Sequence, residues 1–201
     1  MTKIEWLLFV GITTALIFAV VSHVIVAVPQ ERAIDQSEKT SQKIEENIPA
    51  VEIVAGIPEH LRIPSIGVDA FIESAGLTDL GAMAVPEGPV NVAWFSLGPR
   101  PGAVGSAVIA GHYGWKNGIN AVFDSLSQLK RGDEIYVQDT MGYIMSFVVS
   151  GVVIYGENDS TTAVFSSNDG IAHLNLITCG GVWNVKRKSY SERIVVFTDK
   201  K

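Results

Sequence analysis

From Glu59 onward the chain is written in short β-type runs, and two of them, "AVIAG" (107–111) and "IVVF" (194–197), are continuously apolar rather than alternating. A strand with one wet face alternates, whereas a continuous run is buried on both faces. The sheet that holds these runs must therefore be closed on itself or covered. Strands are predicted at His60–Ile63, Val68–Glu73, Ser106–Ala110, Glu134–Gln138, Ile144–Tyr155, Ala172–Thr178 and Ile194–Thr198. Each is rich in Val, Ile, Tyr or Phe, with turn residues between them. In 120–129, Val122, Phe123, Leu126 and Leu129 fall at helical intervals and predict a short helix against the sheet. Many strands with little helix define a mainly β fold, either barrel or sandwich. Residues 59–201 suffice to bury a core of their own.

The N-terminal part has a different texture. Leu7–Val28, "LLFVGITTALIFAVVSHVIVAV", carries no Asp, Glu, Lys or Arg. A helix needs roughly 20 apolar residues to cross a bilayer. A cleaved signal peptide has a shorter apolar region of about 7–15 residues, and "VAVPQERA" is a weak cleavage site. Residues 1–29 are therefore expected to be an N-terminal transmembrane helix. Lys3 is offset by Glu5 and Arg32 follows the run, so charge sets the orientation only weakly. A short stub before a long body places the N-terminus in the cytoplasm and the body on the extracellular side of the cell membrane. Residues 30–58 carry six acidic and three basic residues and no aromatic, and read as a polar spacer.

Fifteen Lys and Arg against 21 Asp and Glu leave a net charge of −6, which argues against nucleic-acid binding. No CxxC, HExxH or clustered Cys/His spacing is present, so neither a metal nor a cofactor is expected.

The single cysteine, Cys179, rules out an intramolecular disulfide and closes the run "LNLITC" ahead of Gly180-Gly181. On the residues alone, a nucleophile at a strand end and a buried core thiol stand level. Cysteine acyl-transfer chemistry needs a thiolate, a proton donor for the leaving amine and a donor site for the oxyanion. His23 lies in the apolar run, and His60 reads as a surface residue. His173 is six residues from Cys179, roughly 20 Å along one strand, and so out of reach. His112, just after a buried strand and flanked by Gly111 and Gly114, is left, with a plain loop histidine as the alternative. Arg193 opens the last strand fourteen residues after Cys179 and supplies a fixed fork of donors. Lys186, Arg187 and Lys188 show that the intervening loop is basic in any case.

These residues together resemble the sortases, membrane-anchored cysteine transpeptidases of bacterial surfaces. The resemblance rests on "LNLITC", on Arg193 opening "RIVVF", and on "GH" after a Val-Ile strand. "LRIPSIGVDAFI" (61–72), "GPRPGAVGSAVIAGH" (98–112) and "FDSLSQLKRGDEIYV" (123–137) match in the same order. Asn175, where the family pattern has a small or β-branched residue, departs from it. The resemblance implies a closed eight-stranded β-barrel with short helices, with Cys179 as nucleophile, His112 as general acid/base and Arg193 as oxyanion or substrate stabiliser. Thr178 would help shape the substrate groove. It further implies cleavage of an LPxTG-type signal near the C-terminus of secreted proteins, through a thioester. The acyl chain would pass to an amine on a peptidoglycan precursor or another acceptor. The aromatic-free spacer disfavours the lid of pilus-building members and favours a housekeeping or single-substrate enzyme.

Two rival readings remain at this level. One is another cell-wall cysteine acyl-transferase or peptidase. The other is a membrane-tethered β-sandwich that only binds, its thiol inert. Because the reaction needs thiolate and imidazolium together, the enzyme reading predicts a bell-shaped pH profile. An activity flat between roughly pH 6 and 9 would count against paired action of Cys179 and His112.

Overall fold

The computed structural model describes residues 56–201. The expected anchor, and all of the spacer but its last three residues, lie outside the described residues. Among the described residues no helix is long and apolar enough to cross a membrane.

Eight strands run through the described residues: β1 (Pro58–Ile63), β2 (Val68–Ala75), β3 (Val92–Phe95), β4 (Gly105–Gly111), β5 (Glu134–Asp139), β6 (Ile144–Gly156), β7 (Ala172–Asn184) and β8 (Ser189–Lys200). They close into a barrel in the order β1-β2-β3-β4-β7-β8-β6-β5, which replaces the sandwich alternative. The β2–β3 and β4–β7 pairs are parallel and the other six antiparallel. Parallel neighbours need long connections. The first connection, residues 76–91, and the last part of the second, which carries the one-turn helix α1 (Thr162–Phe165) just before β7, border the same cavity.

The continuously apolar runs are buried on both faces, as expected. Inward-facing Ala107, Ile109, Leu174, Leu176 and Val196 join the main core with Leu61, Phe123 and Phe147. Their outward neighbours Val108 and Val195 form a second cluster with Val164 of α1, and Met83, Phe95, Phe165 and Ile177 pack against it. The barrel thus has an inner core and an outer apolar pad.

Three local expectations are corrected. β3 has no counterpart among the predicted strands, because four residues are too few to display a period. Residues 120–129 form no α-helix. They make successive i→i+3 turns, such as Leu126 N–H to Phe123 O at 3.1 Å and Gln128 N–H to Ser125 O at 3.0 Å, with a 3-10 turn at Leu126–Gln128. A repeat of three still buries Phe123, Leu126 and Leu129. Finally, β7 and β8 run past their predicted ends, so Cys179 lies inside a strand rather than at its end.

His173 finds its partners near the start of β7. Its Nδ1 lies 2.8 Å from Asp199 of β8 and its Nε2 2.9 Å from Asp169 in the preceding loop. Carboxylates only accept, so satisfying both contacts requires the doubly protonated ring. Burial alone pulls the His173 pKa down, but hydrogen bonds to Asp169 and Asp199 outweigh it and leave it raised above 6.5. The Ile171 backbone N–H and then His173 hold Asp169 below 3.8. The His173 contribution to stability is therefore complete below about pH 6.5 and lost as pH rises through the raised folded value. The Asp169 contribution is present above about pH 4 and lost as pH falls through its lowered value. Thermal unfolding of the parent chain should accordingly show a Tm that drops from pH 6 to pH 9 by more than that of His173→Gln. Equal slopes would show that the pair of contacts adds nothing.

Candidate active site

The register of three adjacent strands puts the three chemically relevant side chains in one row. Cys179 on β7 is paired with Arg193 on β8. On the other side β4 runs parallel to β7 with Ala110 opposite Ile177. Two residues further, His112 comes level with Cys179. Neighbouring strands lie about 4.8 Å apart, and residues level with one another point to the same face. That face is the outer one, because Ile177 and Val195, two positions along from Cys179 and Arg193, belong to the outer pad. Cys179 is half-buried rather than enclosed, and Cys179, His112 and Arg193 all line one cavity of ≈ 570 Å³.

His112 stands where β4 breaks into a loop, and several contacts hold that loop. A Cβ on Gly111 would come within 2.5 Å of the Phe123 ring, so only glycine lets the two segments approach this closely. The Asp124 carboxylate accepts from the N–H groups of Gly114 at 2.6 Å and Ala121 at 2.9 Å, and Phe123 N–H donates to His112 O at 3.1 Å. This use of Asp124 competes with helix formation in 120–129. The imidazole packs at 4.7 Å on Trp115. Its Nε2 lies 2.8 Å from the Pro86 carbonyl. A carbonyl only accepts, so Nε2 carries a proton in this contact and Nδ1 is the nitrogen left to exchange one.

Arg193 is anchored through one corner of its fork. Nη1 donates to Glu192 O at 2.8 Å and Tyr190 O at 3.2 Å, while Nε and Nη2 meet no acceptor among the described residues. Beyond Cys179 the β7–β8 register slips between Gly180 and Trp183. Gly181 takes φ +74° there, and a Cβ would meet Ser191 Oγ at 2.4 Å. The two glycines thus serve a bulge, and a bulge re-aims the strand beside the thiol.

Thr178 borders the cavity, but its hydroxyl is buried and donates to the Gly111 carbonyl at 2.7 Å. It ties the cysteine strand to the residue before His112. Thr178→Val leaves that acceptor short of a partner, and the loss should be about 1–3 kcal/mol. Chemical denaturation would measure it, and an unchanged midpoint would show that the bond adds no stability.

Apart from Thr161 the rest of the cavity is apolar, with Leu77 and Met83 from the β2–β3 connection, Phe95 of β3, Ala110, Ile177, and Phe165 of α1. The sequence reading missed the 76–91 connection. Its only marks are Gly and Pro residues, and its order comes from nonlocal bonds such as Asn91 Nδ2 to Glu73 at 2.8 Å and Ala84 N–H to Gly76 O at 2.9 Å. The acidic residues of 156–170 are spoken for. Glu157 pairs with Arg187 at 2.5 Å, Asp159 accepts from Gly156 N–H at 2.7 Å and Asp169 holds His173. No group of acidic, His and Cys side chains suited to a metal ion occurs among the described residues.

The β-barrel thus carries a thiol, an imidazole and a guanidinium on one outer row beside one cavity. The sortase-domain family model matches residues 61–201, and the chain belongs to the sortase family of cysteine transpeptidases, enzymes that act on sorting signals. The fold is similar to that of a lid mutant of sortase A from Corynebacterium diphtheriae, at 19% identity over 86% of this chain and 82% of that one, TM-score 0.57. A Clostridium perfringens sortase D5 transpeptidase is similar at 26% identity over 82% and 88%, TM-score 0.52. Sortase C1 from Streptococcus suis is similar at 18% identity over 87% and 88%, TM-score 0.56. No curated protein matches the sequence.

Proposed function

We propose that the protein cleaves an LPxTG-type sorting signal of secreted proteins and transfers the acyl chain to an amine of the cell wall, working from an N-terminal anchor at the outer face of the membrane. The observation that carries this reading is the row itself: Cys179, His112 and Arg193 lining one partly open, apolar-walled cavity. The Cys179 thiolate attacks the Thr carbonyl carbon of the signal. The tetrahedral oxyanion is held by the unengaged Arg193 donors. Collapse breaks the Thr–Gly bond, and His112 gives its Nδ1 proton to the departing amine. The acceptor amine then attacks the thioester, returns a proton to His112 and releases the thiolate. Leu77, Phe95 and Phe165 offer apolar surface suited to the Leu and Pro of the signal. With no aromatic in residues 30–58 to form a lid, an anchoring enzyme is favoured over a pilus-building one.

The test is incubation with a library of LPxTG-like peptides and a primary-amine acceptor, read by mass spectrometry. Cleavage after Thr with capture of the acceptor is expected. Hydrolysis that ignores the acceptor would point to a peptidase, and turnover of peptides without the signal would point to another cell-wall acyl-transferase.

A further inference from the structure

Asn175 departs from the family pattern, and its position makes sense of the departure. It lies on β7 four residues before Cys179, on the same outer face, and is 2% exposed. Its Nδ2 donates to the Val164 carbonyl at 2.7 Å. Val164 is the fully buried residue of α1, the one-turn helix whose Phe165 walls the cavity.

So short a helix has few means of holding itself. Inside it, Ser166 N–H bonds Thr162 O at 3.2 Å and Val164 N–H bonds Thr161 O at 2.9 Å, and the carbonyls of its last turn need outside donors. Asn175 supplies one. Meanwhile its own Oδ1 is buried with no hydrogen-bond partner. A leucine of nearly the same shape would remove that unpaired oxygen but leave the Val164 carbonyl without its donor, so what the amide secures here is the hold on α1. Phe165 in turn meets the Phe95 ring edge-on at 5.6 Å, and both rings line the cavity with Ala110 and Ile177, so the position of α1 sets how far Phe165 stands into the groove.

We propose that Asn175 is a positioning residue for the substrate groove: by binding the Val164 carbonyl it fixes α1, and through Phe165 the width of the apolar groove leading to Cys179. It contacts the bound peptide through α1 and not directly, and it governs how tightly the apolar residues of the signal are gripped rather than the acyl-transfer step. The functional half of this inference rests on the sortase reading above.

The test is Asn175→Leu in the full chain, with two measurements. The first is amide hydrogen exchange over 161–167, which needs no activity. Exchange there is expected to quicken about tenfold, with the β4 and β8 amides unchanged. The second is steady-state turnover of the best peptide substrate. KM is expected to rise about tenfold with kcat and the rate of Cys179 alkylation by iodoacetamide within twofold of the parent. Unchanged exchange over 161–167 overturns the anchoring role. Quickened exchange with an unchanged KM, or with kcat falling in place of KM, overturns the groove role. A parent chain that turns over no sorting peptide overturns the proposed LPxTG-type activity instead, and the exchange measurement still decides whether Asn175 holds α1.

Discussion

Substitution of Cys179 by alanine is expected to abolish turnover of a sorting peptide, a loss of at least about 10³-fold, because the acyl chain then has no sulfur to which it can be transferred. No other thiol exists in the chain to substitute for it. The companion change His112→Ala should cost about 10²–10⁴-fold, the usual worth of positioned proton transfer. The two losses should not add, since both side chains serve one step and the second removal deletes what the first has already disabled. Iodoacetamide labelling gives a readout independent of peptide chemistry. The half-buried thiol borders an open cavity, so the folded parent should label at one site, Cys179→Ala should not label, and His112→Ala should label at an altered rate. A folded Cys179→Ala chain that still turns over peptide, or a parent thiol inert until denaturation, would remove Cys179 from the mechanism.

How far this site could be read from the sequence depends on the kind of signal each part leaves. The continuous runs at 107–111 and 194–197 announced a doubly buried sheet. The reason is local: every residue of such a strand must be apolar when both faces are covered. The exclusion of His173 needed only the rise of a strand, and the structure gives that ring to Asp169 and Asp199. The row of Cys179, His112 and Arg193 was another matter. Nothing in spacing says that β4 lies beside β7, and a thiol on an isolated strand is equally a core residue. The meeting of the three followed only from an ordered set of motifs. What stayed invisible is held by long-range bonds. Pro86 reaches His112 from a loop 26 residues away. β3 is too short to show a period. In 120–129, a spacing of three suited the turns as well as the helix, and the Asp124 side chain, bound to Gly114 and Ala121, decided between them. The outer pad of Val108, Val164 and Val195 explains why the sheet is covered exactly where the site is: the segments that cover it are also the cavity walls.

Arg193 carries the second large effect, and its geometry says which substitution is informative. The guanidinium spends Nη1 on the Glu192 and Tyr190 carbonyls, at 2.8 and 3.2 Å, and keeps two nitrogens beside the cavity. Anchoring and donation are thus done at once by one rigid fork. Lysine retains the charge, but its single ammonium cannot bind those carbonyls and still face the cavity with the same preset donors. Arg193→Lys is therefore expected to behave nearly like Arg193→Ala, each lowering kcat by about 10²–10³-fold, the cost of losing a donor aimed at an oxyanion. The split between constants separates the two roles open to this residue. If the donors act on the charge that develops in the transition state, kcat falls and KM stays within about threefold of the parent. If they hold the ground-state carbonyl, KM rises and kcat stays. Alkylation of Cys179 passes through no oxyanion, so its rate should change little in either variant. A lysine variant that keeps most of the parent's kcat would mean that charge alone suffices, and the fork held by Glu192 and Tyr190 would then have no part in the chemistry.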